Sequence, residues 1–270
     1  SRRETLGLLP ALLLSTATPA QSARPVLVGI DAEFGLDNST SAQAVELGAR
    51  VAVAEINQNG GVWGGRMLDL VTRDHHAITA RGIKNIREFA DMPDVVAVLG
   101  GRFSPIVIEQ LPLLKEAKLP FIAVWSAADA IVDNGSKPNF VFRLSLRDSL
   151  AMPFMLSTAR KAGRLKVGLL LTNTSWGRSN LVAVEKHMRS QRLPKVVDVA
   201  WYNWQEPSLV DRYLKLRNAG AKAIVLVAND DEAALLVREV AALPPEQRIP
   251  IISHWGVTGG RFFEAAGPAA

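Results

Sequence analysis

Short apolar runs alternate along this chain with longer stretches in which hydrophobic residues recur every three or four positions, the spacing that places them on one side of a helix. The run VLVGID, residues 26–31, has the character of a buried strand. The polar stretch that follows, AEFGLDNSTS, is turn-rich and ends in hydroxyl residues suited to opening a helix. From about Ala42 to Asn57 the apolar positions Val45, Leu47, Val51, Ala54 and Ile56 predict that helix, and Asn59, Gly60 and Gly61 predict its end. VWGG then turns into a second strand, RMLDLVTRD. A helix over about 78–90, the strand VVAVLG, a helix after Ser104 and the strand FIAV come next. Such regular alternation predicts a parallel, doubly wound sheet with right-handed crossovers.

NFVFRLSLRDS, residues 139–149, reads as a connection, after which the rhythm starts again. A helix from Ser149 to Lys161 leads to KVGLLLT, a helix from Arg178, VVDVAW, a helix from Ser208, AIVLVA, a helix from Asp231 and finally IPIISH. Ser208 and Asp211 form a capping-box-like start. The expected fold class is α/β, with two Rossmann-like doubly wound units in tandem. A ligand is expected in the cleft between them, where the C-terminal ends of strands face each other.

Within this frame VVAVLGGRFSP, residues 95–105, combines a strand, a tight glycine turn through Arg102 and Phe103, and a helix start. Ser104 stands where an N-cap belongs and Pro105 at the first helical position. A helix beginning there directs free N–H groups and about half a positive charge into the crevice, a place for a carboxylate. The same features also describe a well-capped helix in any α/β protein.

Composition narrows the classes. Of 270 residues, 48% are hydrophobic and 21% charged, as in a globular protein with a substantial core and room for about two domains. The net charge is +5 and the Lys and Arg residues are scattered, which argues against a nucleic-acid surface. With no cysteine there is no disulfide, thiolate metal site or cysteine nucleophile. No G-x-G-x-x-G follows the first strand, and P-loop and G-x-S-x-G motifs are absent, so neither an enzyme nor a cofactor is expected. At the N-terminus Arg2 and Arg3 precede LGLLPALLL and STATPAQSA, which reads as a secretory signal peptide over residues 1–22 and implies export to the periplasm.

The histidines carry little. His75 and His76 after Asp74 read as a surface pair at a strand end, without the further ligands a metal needs, and His187 reads as part of a solvated helix face. His254 is expected at the cleft, as a ligand donor or in a structural role. Trp201, Tyr202, Asn203 and Trp204 read as packing at a strand end.

The strings GARVAVAEINQNGGVWGG (48–65), LDLVTRD (68–74), DVVAVLGGRFS (94–104), LPFIAVWSAA (119–128), LLLTNTSWGRS (169–179) and IISHWGV (251–257) occur in an order that resembles the type I periplasmic solute-binding proteins of ABC transporters, in the leucine/isoleucine/valine-binding branch. The resemblance implies two lobes, 23–143 and 144–254, joined by a hinge, with 255–270 beginning a return to the first lobe. Chains of that family run longer, so it also implies a C-terminal truncation.

The resemblance further implies that a ligand carboxylate is gripped at Phe103, Ser104, Ser126, Ala127 and Ala128, where Ala128 replaces the usual threonine. It implies that Trp176 covers the ligand from the second lobe and that Phe34 walls the pocket. Where amino-acid binders carry an acid for the ammonium group, this chain has Ser253, His254 and Trp255, so Asp230 or Asp231 is the expected substitute. The implied function is capture of a branched-chain or related amino acid for ABC permease subunits. The alternatives are the ligand-sensing domain of a signalling receptor and a binder of aromatic carboxylates held between Trp176 and Trp255.

Overall fold

In the computed structural model, which describes residues 24–36, 39–187 and 193–270, the apolar runs of the first half become five parallel strands. These are β1 (Val26–Ala32), β2 (Leu68–Asp74), β3 (Val95–Gly100), β4 (Phe121–Ala123) and β5 (Val141–Arg143), in the order β2-β1-β3-β4-β5. The helices between them are α1 (Thr40–Gln58), α2 (Thr79–Ala90) and α3 (Ser104–Glu116). The second half repeats the plan with β6 (Lys166–Thr172), β7 (Lys195–Tyr202), β8 (Ala223–Val227) and β9 (Ile251–Ser253), parallel in the order β7-β6-β8-β9. Its helices are α4 (Asp148–Lys161), α5 (Ser175–His187), α6 (Val210–Asn218) and α7 (Asp230–Ala242), and α8 (Phe262–Ala266) packs on α7. The signal peptide read at residues 1–22 lies outside the described residues.

Burial explains why the strands read as continuous apolar runs. In β6, Leu169 and Leu171 face α4 and α5 through Met152, Leu156, Ala183 and Val184, while Leu170 faces α6 and α7 through Tyr213, Leu216 and Leu236. A strand covered on both faces has no polar side to alternate with. In the first lobe Phe89, Phe121, Ile86 and Leu114 are fully enclosed, and each such side chain stabilises the fold by about 1.5–3 kcal/mol. Gly29 lets α2 lie close, since a Cβ there would stand 2.9 Å from the Phe89 ring.

Several helix starts differ from expectation. Phe103, with extended backbone, is the N-cap of α3, and Ser104 is its first helical residue. α5 begins at Ser175 rather than Arg178. α6 begins at Val210, and Ser208 caps nothing; the Leu209 N–H instead donates to Glu239 Oε2 on α7. Asn229, not Asp231, is the N-cap of α7. Leu47 and Val51, read as core positions of α1, are exposed.

The two sheets fix where a site can form. In each, the connections leaving two neighbouring parallel strands, β1 and β3 or β6 and β8, lead toward opposite edges of the sheet, and ligands of such folds bind outside the strand ends at that point. The segments emerging there, Glu33, Gly101–Ser104 and Asn229–Glu232, face one another.

Candidate functional site

The β1 and β3 ends deliver a buried charge network. Glu33, fully enclosed just after β1, accepts on Oε1 from Ser39 Oγ at 2.9 Å and Ser41 Oγ at 2.7 Å, and on Oε2 from the Arg102 N–H at 3.3 Å. Arg102, just after β3, crosses to the other lobe, where its Nη1 donates to Asp230 Oδ1 at 2.7 Å. Its Nε lies 3.7 Å from Glu33 Oε1 and has no hydrogen-bond partner. The guanidinium also stands 5.1 Å from the centre of the Phe103 ring. Burial raises the Asp230 pKa above the ordinary carboxylate value, and the Arg102 charge pulls against that rise. Gly259 leaves room for the arrangement, because a Cβ there would meet Arg102 Nη1 at 2.9 Å.

Two further buried titratable groups lie beside this network. Asp31 accepts from Asn85 Nδ2 at 2.7 Å and Gln110 Nε2 at 2.5 Å, yet burial pushes its pKa up to about 7. β2 ends at Asp74, so His75 and His76 do stand at a strand end, but they are not a surface pair, since only His76 is substantially exposed. His75 is buried, its Nδ1 accepts from the Ala77 N–H, and its Nε2 lies 3.8 Å from Glu33 Oε2. Burial lowers its pKa to about 4.

Between the lobes lies a cavity of about 380 Å³. Leu36, His76, Ile78, Arg102 and Phe103 line it from the first lobe, and Trp204, Gln205, Asn229, Asp231 and Glu232 from the second. Phe103 and Trp204 meet edge to face across it, with ring centres 5.3 Å apart. A second cavity, of about 440 Å³, is an apolar groove along α4 and β9, lined by Leu146, Leu150, Phe154, Ile252 and Trp255. It lies within one lobe, whereas the first draws polar groups from both strand-end crevices.

The residues singled out from sequence separate accordingly. Phe103 lines the interlobe cavity, and Asp230 stands behind it on Arg102. The expected carboxylate grip is closed on itself. Ser104 Oγ accepts from the Ala127 and Ala128 N–H groups at 3.1 and 3.2 Å, and Ser126 Oγ donates to the Gly101 carbonyl at 2.7 Å. Arg143 and Ser145 hold the carbonyls of that loop, with Arg143 Nη2 2.6 Å from the Ala128 oxygen and Ser145 Oγ 2.6 Å from the Ser126 oxygen.

Trp176 lies in the core of the second lobe, donating from Nε1 to Asp148 Oδ1 at 3.3 Å and meeting His254 edge to face. Trp255 stacks on His254 and lines the apolar groove. His254 is enclosed between them, with Nε2 3.3 Å from Asp148 Oδ1, which is its structural role. Phe34 packs with Ile30, Ala32 and Val45 and does not line the interlobe cavity.

Sequence reasoning missed Glu33, Arg102, Trp204 and Glu232. The available signal was a lone charge directly after the apolar run of β1 and another directly after that of β3. Among the described residues no cluster of three His, Cys, Asp or Glu suited to a metal ion is present, and no helix is long and apolar enough to cross a membrane.

The sequence model of a family described as periplasmic binding protein matches residues 33–270. A Leu/Ile/Val-binding protein homolog 7 of Brucella melitensis biotype 1 is 23% identical over 246 residues, covering 88% of this chain and 60% of that protein. Glutamate receptor 3.1 of Oryza sativa subsp. japonica is 25% identical over 224 residues, covering 82% of this chain and 23% of the receptor. The chain thus spans less than two thirds of either relative. Among solved structures, the branched-chain amino acid transporter substrate binding protein LivJ of Streptococcus pneumoniae, in complex with isoleucine, superposes with a TM-score of 0.75 at 20% identity, over 90% of this chain and 68% of LivJ. An ABC transporter solute binding protein of R. palustris in complex with 4-hydroxybenzoate gives 0.75 at 19% identity, over 86% and 62%.

Proposed function

The chain belongs to the periplasmic binding protein family, and from that premise we propose that it is the substrate-binding component of an ABC transporter, working in the periplasm and delivering a small solute to permease subunits. It performs no chemistry on that solute. The observation that carries the reading is the interlobe cavity, whose volume of about 380 Å³ suits a molecule of amino-acid size. Arg102 and Phe103 on one side and Trp204 and Glu232 on the other give both lobes a hand in holding it. The names of the Brucella relative and of LivJ support an amino acid or a related solute.

Capture follows from how the lobes meet. Each is made rigid by its own sheet, and the contacts that cross between them come from the segments at the strand ends and beside the crossover: Arg102 to Asp230, the Phe103 ring on Trp204, the Asp129 N–H to Ser179 Oγ at 3.0 Å, and Asp129 to Arg147 and Ser149. Interfaces of this kind permit domain motion, here a hinge opening that exposes the cavity. A solute bound to both walls favours the closed state by its difference in affinity for the two states.

The test is a thermal-shift screen against amino acids, amines and small carboxylates. Ligand at a hundred times its Kd adds about 2.7 kcal/mol of stability and a clear rise in Tm. A full panel without a shift refutes solute capture. The match to a segment of a glutamate receptor favours one second reading, a ligand-sensing domain of a signalling receptor. A reading frame that leads on into a membrane helix and a signalling domain selects the sensor over the transporter.

A further inference from the structure

The far end of the second lobe, where its strands begin, gathers bases that lie far apart in the sequence. Lys166 opens β6, its register partner on β7 is Lys195, and Lys222, at the entry to β8, donates its N–H to the Lys166 carbonyl at 2.8 Å. Three lysines stand side by side on the first rung of neighbouring strands, their backbones about 4.8 Å apart. Arg164 precedes the row, and Arg160 and Lys161 close the last turn of α4 just before it. All six side chains belong to exposed residues, and among the described residues none of them is in an ion pair. Asp198, farther along β7, is held by Lys215 at 3.1 Å, and two exposed acids at the same end, Glu185 and Glu246, leave the row unpaired.

Like charges set opposite one another on neighbouring strands destabilise a sheet. Bases at a helix end answer its dipole, which accounts for Arg160 and Lys161, but the three lysines lie outside every helix. The row weakens the fold and nothing within the fold matches it, so its complement is a negative surface from outside. Which surface follows from the side chains. Four of the six are lysine, a mobile, strongly hydrated point charge rather than the planar fork that grips a carboxylate by two bonds. Protein interfaces are poor in lysine and centre on aromatic or arginine anchors, and single-stranded nucleic acid calls for aromatic stacking. Residues 160–166 contain no aromatic residue, and their one large apolar side chain is Leu165, 56% exposed between Arg164 and Lys166. Flexible cations around an exposed leucine suit a bilayer surface, the charges at the headgroups and the apolar tip at the acyl boundary.

We propose that this end of the second lobe docks reversibly on an anionic phospholipid surface, with Lys166, Lys195 and Lys222 against the headgroup phosphates and Leu165 dipping between them. The interlobe cavity lies at the opposite ends of the strands, so a chain held in this way presents that cavity away from the bilayer. The inference does not depend on which solute the cavity takes.

Vesicle flotation of the full chain tests it, with phosphatidylglycerol and phosphatidylcholine in equal parts against phosphatidylcholine alone. The chain is expected to float with the anionic vesicles only and to be released as salt is raised, because screening shortens the reach of the attraction. Each base near an anionic surface is worth about fivefold in partitioning, so Lys166→Gln/Lys195→Gln/Lys222→Gln is expected to weaken binding about a hundredfold. Lys84→Gln/Lys115→Gln/Lys118→Gln removes the same charge from exposed positions of the first lobe and is expected to leave binding within about threefold, since distant charges are screened. Failure to float with anionic vesicles, equal flotation with phosphatidylcholine alone, or equal losses in the two triple variants overturns the proposal. Tighter binding to soluble poly-L-glutamate than to the vesicles assigns the face to an acidic protein and overturns the lipid assignment. Lys166→Gln alone, with an expected loss of about fivefold, decides the matter where the triple variant folds poorly.

Discussion

Replacing Arg102 by alanine removes a guanidinium from a buried cluster that contains Asp230 and Glu33, both at most 1% exposed. At the observed 2.7 Å the Arg102 to Asp230 attraction amounts to roughly 6 kcal/mol at an effective dielectric constant of about 20. Desolvating two ions costs several kcal/mol each, so the intact pair contributes little net stability. Breaking it is different, because the desolvation of Asp230 remains while the guanidinium that offset it is gone. The expected loss for Arg102→Ala is about 3–5 kcal/mol. Glu33 keeps its bonds from Ser39 and Ser41, which limits the damage on that side. The assay is the urea midpoint of wild type, Arg102→Ala, Asp230→Asn and Arg102→Met/Asp230→Asn. The double variant is expected to recover about 1–3 kcal/mol relative to Arg102→Ala, since it leaves no uncompensated charge at residue 230. A loss below about 1 kcal/mol for Arg102→Ala would falsify the buried interlobe pair.

Ser104→Ala is expected to cost about 1–3 kcal/mol of stability, because the Ala127 and Ala128 N–H groups lose their shared acceptor; an unchanged Tm refutes that role. Two buried groups set opposing pH dependences. Asp31, raised from 3.8 to about 7, contributes stability that is present in acid and lost as pH rises from about 4 to 7. His75, lowered from 6.5 to about 4, contributes stability that is present above about 6.5 and lost as pH falls toward 4. The two slopes largely cancel between pH 4 and 6.5 in the wild type, so His75→Asn is expected to unmask a rise in urea midpoint on acidification across that window. A variant whose profile parallels the wild type contradicts the assignment.

The parts of the fold that were legible in the sequence are those governed by local rules. VVAVLG and KVGLLLT coincide with β3 and β6 because a strand buried on both faces is apolar throughout. Helix starts were less legible where a distant group does the capping. The Leu209 N–H is held by Glu239, 30 residues on, so the hydroxyl of Ser208 was a false cue. The same distinction runs through the site. The strand-end position of the interlobe cavity follows from the βα rhythm alone, and Phe103, singled out from the turn after β3, is among the residues that line it. Its electrostatics do not follow, since Arg102 and Asp230 are 128 residues apart and meet only once both lobes exist. Ser104, Ser126 and the Ala127 and Ala128 amides look like free ligand groups in one dimension. Folded, they satisfy one another.

That self-satisfaction separates the rigid part of the site from the movable part. The loop at 126–128 is held through its N–H groups by Ser104, through the Ser126 and Ala128 carbonyls by Ser145 and Arg143, and through the Ala127 carbonyl by the Asp148 N–H at the start of α4, so its shape is fixed by bonds on both sides of the crossover. On the proposed opening Arg102 separates from Asp230, together with Phe103 from Trp204 and Asp129 from Ser179. An apolar seam in place of the ion pair would lose hydrophobic stabilisation in proportion to the area exposed, and the lobes would stay shut. An ion pair behaves otherwise, because opening forfeits the attraction but returns both charges to water, and for buried pairs these two quantities are of similar size. On the proposed function this pair favours the closed state only weakly over the open one. A solute that binds both walls then decides which state prevails by adding about 1–3 kcal/mol of differential affinity, within what a few hydrogen bonds contribute.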